Sequence, residues 1–415
     1  MKINILENRL NRNIVIPGFL ELSAKLIALV TNIILARVLG VELFGLIGTA
    51  FALASFLILF VNWGFDTTGT RRIAINSNSA SQFSGNVIVF RAVVSLIISV
   101  VLIAFLFFTP DSSQNVEIYL LAFLIVLRQS FGFIYYFNGV QKLTIPAIAN
   151  LITATVSLTG VIVFVRDNSD IFIALIVQLI ATVISILYSF YIFKKALPKF
   201  KLNFNKKILF EYFREATPVS VSSFFILFYY SANILILSYL SNTTEAGYFN
   251  AANRLYLAGI MGLTLIYNAF FPVLSSVIES KIDFIKSFRK YALYMIIFAL
   301  IVAFFFVQFN DVIITAVYGE KYFYSSKLLS YFGVSLLIVA IAIICNNTLL
   351  IFGKNKHFMI ITGFAALLNT GLCFLLIPEL NSTGAVLSIL FTEIFVASIS
   401  LIYLYRLFKV RFGNV

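Results

Sequence analysis

Long apolar stretches separated by short polar ones dominate the chain. The first of them, residues 14–38, departs from that pattern in an informative way. It is long enough for a bilayer-crossing helix, which needs ~20 apolar residues at ~1.5 Å rise each. Yet it carries Glu21 and Lys25 inside the run and Arg37 at its far end. At ~100° per residue, Glu21, Lys25, Ala28 and Asn32 return to nearly the same helical face. The helix is therefore expected to be polar along one stripe and apolar elsewhere. Lipid cannot satisfy such a stripe, so it must face a water-filled cavity or other helices.

Further apolar runs predict spans at about 43–65, 86–108, 117–138, 145–165, 171–193, 217–240, 248–275, 291–309, 328–352, 357–377 and 384–406. With the first, that makes about twelve, each longer than the ~17 residues a crossing requires. Composition agrees: 61% of the 415 residues are hydrophobic and 11% charged, against roughly 25% charged in soluble domains. The fold class is an all-α polytopic membrane protein. The basic stretch at 194–215 splits the spans into two sets of six, which gives an N-terminal bundle 1–193, a linker 194–215 and a C-terminal bundle 216–415.

Charge placement fits the twelve-span reading. Of the 30 Lys and Arg, three (Lys25, Arg128, Arg254) fall inside spans and four (Arg37, Arg166, Lys321, Lys327) fall on one side. The remaining 23, from Lys2, Arg9 and Arg12 through Arg91, Lys199 and Lys201 to Arg411, fall on the other. Such a bias marks the cytoplasmic side and puts both termini there. The +13 formal net charge thus reads as topology rather than as a nucleic-acid surface. The opening MKINILENRLNRN leads into a run longer than a signal h-region and lacks a small-residue cleavage site, so the first helix is expected to stay as an anchor. A short internal likeness also stands out. Thr31-Asn-Ile-Ile-Leu-Ala with Glu42, Gly45 and Ala50 resembles Ala232-Asn-Ile-Leu-Ile-Leu with Glu245, Gly247 and Ala252. It points to parallel repeats about a pseudo-twofold axis along the membrane normal.

Besides Glu21 and Lys25, the ionisable residues assigned to spans are Arg128, Arg254 and Glu393. Each charge facing lipid at mid-bilayer would cost ~2.5–3.5 kcal/mol, so these residues are expected to face inward. In the eighth span Asn250, Asn253, Arg254, Met261 and Asn268 share a face, with Tyr256 opposite. In the fourth Arg128, Gly132, Tyr135 and Gly139 align, and in the seventh Ser222, Tyr229 and Asn233 do. Blander readings exist for each. Glu21 and Lys25, at i and i+4, neutralise one another; Arg254 snorkels to an interface; Glu393 pairs with a cation; the stripes serve only helix–helix hydrogen bonding. On the cavity reading, Lys25, Arg37, Arg128 and Arg254 outnumber Glu21 and Glu393. A cationic cavity with Asn and Tyr suits an anionic, hydroxyl-rich head, since cations meet phosphate and amides meet sugar.

Other chemistry is sparse. Cys345 and Cys373 lie in apolar runs, which indicates neither disulfide nor metal. His357, the single histidine, sits at a predicted cytoplasmic boundary, and Arg166-Asp-Asn-Ser-Asp170 reads as a solvated turn. No Gly-rich phosphate loop, nucleophile elbow or metal-spaced set is present, so no enzyme is indicated.

Four segments carry a family likeness. Leu35-Ala-Arg-Val-Leu-Gly-Val-Glu-Leu-Phe-Gly45, Trp63-Gly-Phe-Asp-Thr-Thr-Gly-Thr-Arg-Arg-Ile-Ala74, Val317-Tyr-Gly-Glu-Lys-Tyr322 and Leu350-Ile-Phe-Gly-Lys-Asn355 resemble, in order and spacing, those of bacterial polysaccharide exporters of the Wzx O-antigen flippase type. The resemblance implies a multidrug/oligosaccharidyl-lipid/polysaccharide exporter fold, MATE-like, with two six-helix bundles. It implies an undecaprenyl-pyrophosphate-linked oligosaccharide as substrate, moved across the cytoplasmic (inner) membrane by alternating access. A polysaccharide polymerase and a chain-length regulator are the implied partners, and no cofactor is implied beyond coupling to H+ or Na+. Lys25, Arg128, Arg254, Arg37, Asn32, Asn250 and Asn253 would meet the headgroup. Glu21 or Glu393 would bind a proton. By analogy with lipid II flippases, Asn233, Asn369 and Glu393 would hold sodium, although the eleventh span here lacks a second carboxylate. The competing readings are a lipid II flippase, a multidrug cation antiporter of the same fold, which would want an anionic cavity, and an O-antigen polymerase or membrane glycosyltransferase. The last usually needs a large external catalytic loop, and the longest here, near Asn310–Ser326, is short.

Overall fold

The computed structural model describes the backbone of residues 2–108, 116–198, 200, 202 and 204–412. It describes their side chains apart from residues 2–14, 105–108, Gln129, Ser222, Ile226, Tyr229, Tyr230 and Asn355. The side chains of Lys2, Arg9, Arg12, Lys199, Lys201, Ser222 and Tyr229, all weighed above, lie outside the described residues. Among the described residues there are helices and turns and no strand. The helices are α1 (Lys2–Asn62), α2 (Phe65–Ile75), α3 (Ala80–Phe108), α4 (Val116–Phe131), α5 (Ile134–Gly139), α6 (Thr144–Phe164) and α7 (Ile171–Ala196). They continue with α8 (Lys206–Leu240), α9 (Thr243–Ser276), α10 (Lys281–Gln308), α11 (Asn310–Tyr318), α12 (Ser325–Ile351) and α13 (Asn355–Phe412).

Eight described helices are long and apolar enough to cross a membrane, and two of them are broken near their middle. Helix α1, at 61 residues, would run about 92 Å if straight, some three times the ~30 Å hydrocarbon core. Its helical geometry stops at Gly40 (φ 81°, ψ 177°), a conformation open to glycine and costly for residues with a Cβ. Helix α13 breaks likewise at Asn381 (φ 50°, ψ −130°), three residues beyond Pro378. The sequence separated apolar runs at both places because polar or turn residues interrupt them there.

The predicted span 117–138 is not one helix. It stops at Phe131 and restarts as the short α5, with the Tyr136 and Phe137 N–H groups donating to the Phe133 carbonyl at 3.0 and 3.1 Å. The face expected to unite Arg128, Gly132, Tyr135 and Gly139 is therefore divided. Tyr135 is buried in an aromatic core with Phe65, Phe83, Phe133 and Phe193, while Gly139 packs on Ile73.

Two compact units account for the chain: Met1–Gly40 with Ala50–Phe224, and Val41–Thr49 with Phe225–Val415. The division falls later than the basic stretch at 194–215 because the start of α8 packs inside the first unit. The Trp63 indole stacks on Phe213 at 4.5 Å between centroids, and its Nε1–H donates to Thr217 Oγ1 at 3.2 Å. Arg72 pairs with Glu215 at 2.5 Å, and the Asn205 N–H donates to Asn86 Oδ1 at 2.7 Å.

The second unit takes in the short segment Val41–Thr49, and close backbone approach explains how. A Cβ on Gly45 would stand 1.9 Å from the Thr243 carbonyl oxygen, and one on Gly247 would stand 2.0 Å from that of Val41. Each glycine thus faces the carbonyl four residues before the other, as two related segments crossing about a local twofold would. Phe44 is buried beside them, 6.5 and 6.3 Å from the rings of Tyr318 and Tyr322.

Candidate functional site

Within the first unit the polar stripe of α1 opens on a cavity of about 310 Å³. Glu21, Lys25, Ala28 and Asn32 all line it, since their spacing repeats the helical turn. Arg128 reaches it from the last turn of α4, Asn150, Thr153 and Ser157 from α6, and Gln178 from α7. The α6 residues are themselves spaced by three, four and seven, so that helix too turns its polar side inward.

The side chains form a relay. Arg128 Nη2 donates to Asn150 Oδ1 at 2.7 Å, and Asn150 Nδ2 donates to Glu21 Oε1 at 2.7 Å. The amide therefore spans the cation and the carboxylate, using one polar group on each. Lys25 is exposed in the cavity wall and makes no hydrogen bond or ion pair among the described residues. The reading in which Glu21 simply neutralises Lys25 one turn away is thus not the geometry found. Asn32 ties its Nδ2 to the Ala28 carbonyl at 2.7 Å, which leaves its carbonyl oxygen uncommitted.

Arg128 and Asn150 also line a second cavity of about 260 Å³, with Asp66, Gly132, Phe133, Phe137, Ser185 and Ser189. Behind Asp66 stands Arg91, fully buried in α3. Arg91 Nη2 pairs with Asp66 Oδ1 at 2.9 Å and also bonds Asn62 Oδ1, while Nη1 bonds the Ser130 carbonyl. Asn62 Nδ2 closes the ring on Asp66 Oδ2 at 2.8 Å, and the guanidinium lies 5.5 Å from the Tyr135 ring centroid. The sequence counts Arg91 with the charges of the cytoplasmic side, and the structure adds that it is buried and paired. The available signal was its position inside the apolar run 86–108. Asn150 was missed because a single amide in an apolar helix carries no motif.

Arg37 is exposed on α1 and is not among the residues lining either cavity. The other predicted residues belong to the second unit. Asn250 is buried, with its Nδ2 donating to the Phe44 carbonyl at 3.3 Å. That bond anchors the Val41–Thr49 segment. Asn253 and Arg254 are half-buried on α9; Arg254 lies within electrostatic reach of Tyr318, and its Nε is buried without a hydrogen-bond partner. Tyr256 faces the other way, 3.2 Å from Ser335 Oγ and stacked on Phe332.

Three predicted ion-coupling residues, Asn233, Asn369 and Glu393, are all buried. Cys373 Sγ donates to Asn233 Oδ1 at 2.9 Å and lies 3.9 Å from Asn369 Oδ1, while Asn369 Nδ2 donates to Thr392 Oγ1 at 3.4 Å. Asn233 from α8 and Asn369 from α13 thus share one polar cluster, with Glu393 next to Thr392 in the chain. His357 is half-buried, 2.7 Å from the Tyr403 hydroxyl. In the Arg166–Asp170 turn, Asp167 accepts from the Ser169 hydroxyl and N–H, which hold its carboxyl below the usual range.

The sequence model of the family described as polysaccharide biosynthesis protein matches residues 10–278. A Shigella dysenteriae protein named "Putative O-antigen transporter" is 27% identical over 369 residues, 87% of this chain and 91% of that protein. A protein of the same name from Escherichia coli (strain K12) is 27% identical over 278 residues, 64% of this chain and 65% of that one. Among solved structures, the lipid II flippase MurJ in an inward closed conformation superposes with a TM-score of 0.74 at 15% identity, covering 97% of this chain and 94% of that one. An inward-facing MATE multidrug resistance transporter of the MOP superfamily also gives 0.74, at 14% identity, covering 95% and 98%. At such identities the structural likeness speaks for the fold: that of the MOP transporters.

Proposed function

This chain belongs to the polysaccharide biosynthesis protein family, and from that membership we propose that it carries an undecaprenyl-pyrophosphate-linked oligosaccharide from the cytoplasmic to the periplasmic leaflet. It is a multi-pass membrane transporter, a MOP-superfamily flippase, and not an enzyme. In this reading the membrane is the bacterial inner membrane, both termini are cytoplasmic, and a polymerase with its chain-length regulator receives the product.

The observation that carries the reading is the first unit's cavity. Two cations, Lys25 and Arg128, share its wall with one carboxylate, and neither cation is paired directly with that carboxylate. Holding charge within an apolar span is costly, so the cations are explained if a diphosphate meets them there. Amides, hydroxyls and a carboxylate around them suit the hydroxyls of the adjoining sugar. The net positive lining argues against an organic-cation antiporter, which would want the opposite sign. Coupling would come from a proton at Glu21 or Glu393, or from sodium beside Asn233 and Asn369. The two halves would rock so that the site opens to each side in turn.

The direct test is reconstitution of the purified protein in liposomes with a fluorescent undecaprenyl-diphosphate oligosaccharide. Protein-dependent movement between leaflets, lost in Lys25→Ala and Arg128→Ala, is the expected result. Movement at the wild-type rate in both variants would remove the cavity from the mechanism, and no movement with any diphosphate-linked glycan would remove the function.

A further inference from the structure

The relay through Asn150 leaves a charge mismatch that a diphosphate headgroup would meet on arrival. The cavity wall carries Lys25 and Arg128 as cations and Glu21 as a carboxylate, and its other lining residues, among them Asn32, Asn150 and Gln178, are neutral. The wall therefore has one net positive charge, whereas a prenyl diphospho-sugar is a diphosphate diester with two negative ones. Arg128 is also committed, since its Nη2 is bonded to the amide that Glu21 orients.

We propose that Glu21 takes up a proton as the diphosphate enters, so that headgroup and proton bind as a pair. This rests on the diphosphate substrate proposed above. While Glu21 is ionised, a carboxylate and a dianion face each other in one small cavity, and like charges so placed disfavour joint ionisation. Protonation removes that repulsion and raises the wall to two net positive charges, equal and opposite to the headgroup. It also converts an acceptor-only group into one with an O–H donor, which can donate to a phosphate oxygen in a short charge-assisted bond. Asn150 then faces a neutral carboxyl, its hold on Arg128 weakens, and the guanidinium fork is released to take phosphate oxygens two at a time.

The charged groups facing Glu21 are few. Lys25 approaches from α1 and Arg128 from α4, while α6 and α7 present only Asn150, Thr153, Ser157 and Gln178. Asp66 lines the neighbouring cavity, beyond the wall that Arg128 and Asn150 form, and is already paired with Arg91. Glu21 is thus the carboxylate that feels the headgroup. A proton taken up on binding makes binding weaken as pH rises, by at most about tenfold per pH unit.

Calorimetric titration of the full chain in nanodiscs tests this with a short-chain prenyl diphospho-hexose, whose two phosphodiester charges stay ionised throughout the usable pH range. Buffers of different ionisation enthalpy count the protons directly in the wild type. The expected result is uptake approaching one proton per headgroup, an affinity that falls with pH, and loss of both effects in Glu21→Gln with binding retained. Proton release, or binding without uptake, overturns the inference and leaves the flippase reading standing. Undiminished uptake in Glu21→Gln also overturns it, because another group then takes the proton. No binding by the wild type overturns both.

Discussion

Gly45 and Gly247 meet backbone to backbone in the second unit, each where a Cβ would fall about 2 Å from a carbonyl oxygen on the other's segment. The contact is reciprocal: Gly45 faces Thr243, four residues before Gly247, and Gly247 faces Val41, four residues before Gly45. Helices within membranes associate through such small residues because close approach earns dispersion contacts that lipid cannot match. A methyl at either site must push the segments apart. Gly45→Ala and Gly247→Ala should each destabilise the protein by about 1–3 kcal/mol, read as a lower melting temperature in detergent. Gly371→Ala, where nothing lies within 4 Å of the added Cβ, should melt at or slightly above the wild type, since Ala is the better helix former.

Removing Asp66 from beside the buried Arg91 should cost more than removing a surface pair. Asp66→Ala leaves a buried guanidinium with only Asn62 and the Ser130 carbonyl, a loss of about 3–5 kcal/mol. Arg72→Ala breaks a pair whose two side chains are each about a third exposed and should cost about 1 kcal/mol or less. Thermal unfolding of the two variants side by side checks the order. Equal losses would show that the Arg91 network contributes no more than a surface contact.

Charge and geometry at Arg128 can be separated. Arg128→Ala removes both the cation and the donor to Asn150, and should reduce surface glycan at least tenfold while membrane insertion persists. Arg128→Lys keeps the charge but presents a point donor instead of a fork, and should retain part of the activity. Glycan extracted from a deletion strain expressing each variant, normalised to protein in the membrane fraction, gives the comparison. Full activity in Arg128→Ala would contradict the role assigned to the cavity.

Sodium, if it binds beside Asn233 and Asn369, should raise the melting temperature of the wild type with a saturating concentration dependence, because a ligand of the folded state stabilises it by mass action. Asn233→Ala should abolish that rise. It should also cost about 1–3 kcal/mol without sodium, since the Cys373 thiol loses its acceptor in a buried cluster. A sodium response equal in potassium, or unchanged in Asn233→Ala, would leave a proton as the coupling ion.

Much of this arrangement was legible one helix at a time. Glu21, Lys25, Ala28 and Asn32 line one cavity because helical periodicity is a local property, and four positions at the right spacing need no knowledge of their neighbours. The breaks near Gly40 and Asn381 were legible for the same reason, as interruptions in apolar runs. The fourth span was misread because Gly132, which follows Phe131 at the break, reads equally as a small residue of the Arg128 face and as a helix stop; the aromatic core that buries Tyr135, built from α2, α3 and α7 as well, pulls that residue off the Arg128 face.

Sequence by itself therefore determined that this is a helical membrane protein with cations inside its apolar runs, since the cost of charge in lipid depends on residue type and position in a span. Tertiary structure decided which of those charges are spoken for. Asp66 and Arg91 lie 25 positions apart and Glu21 and Asn150 lie 129 apart, separations at which no periodicity operates. Pairing over such distances depends on which helices pack together and in what rotation. That is why Arg91 proved to be buried and paired, Asn250 bound to a backbone carbonyl, and Lys25 left open to the cavity.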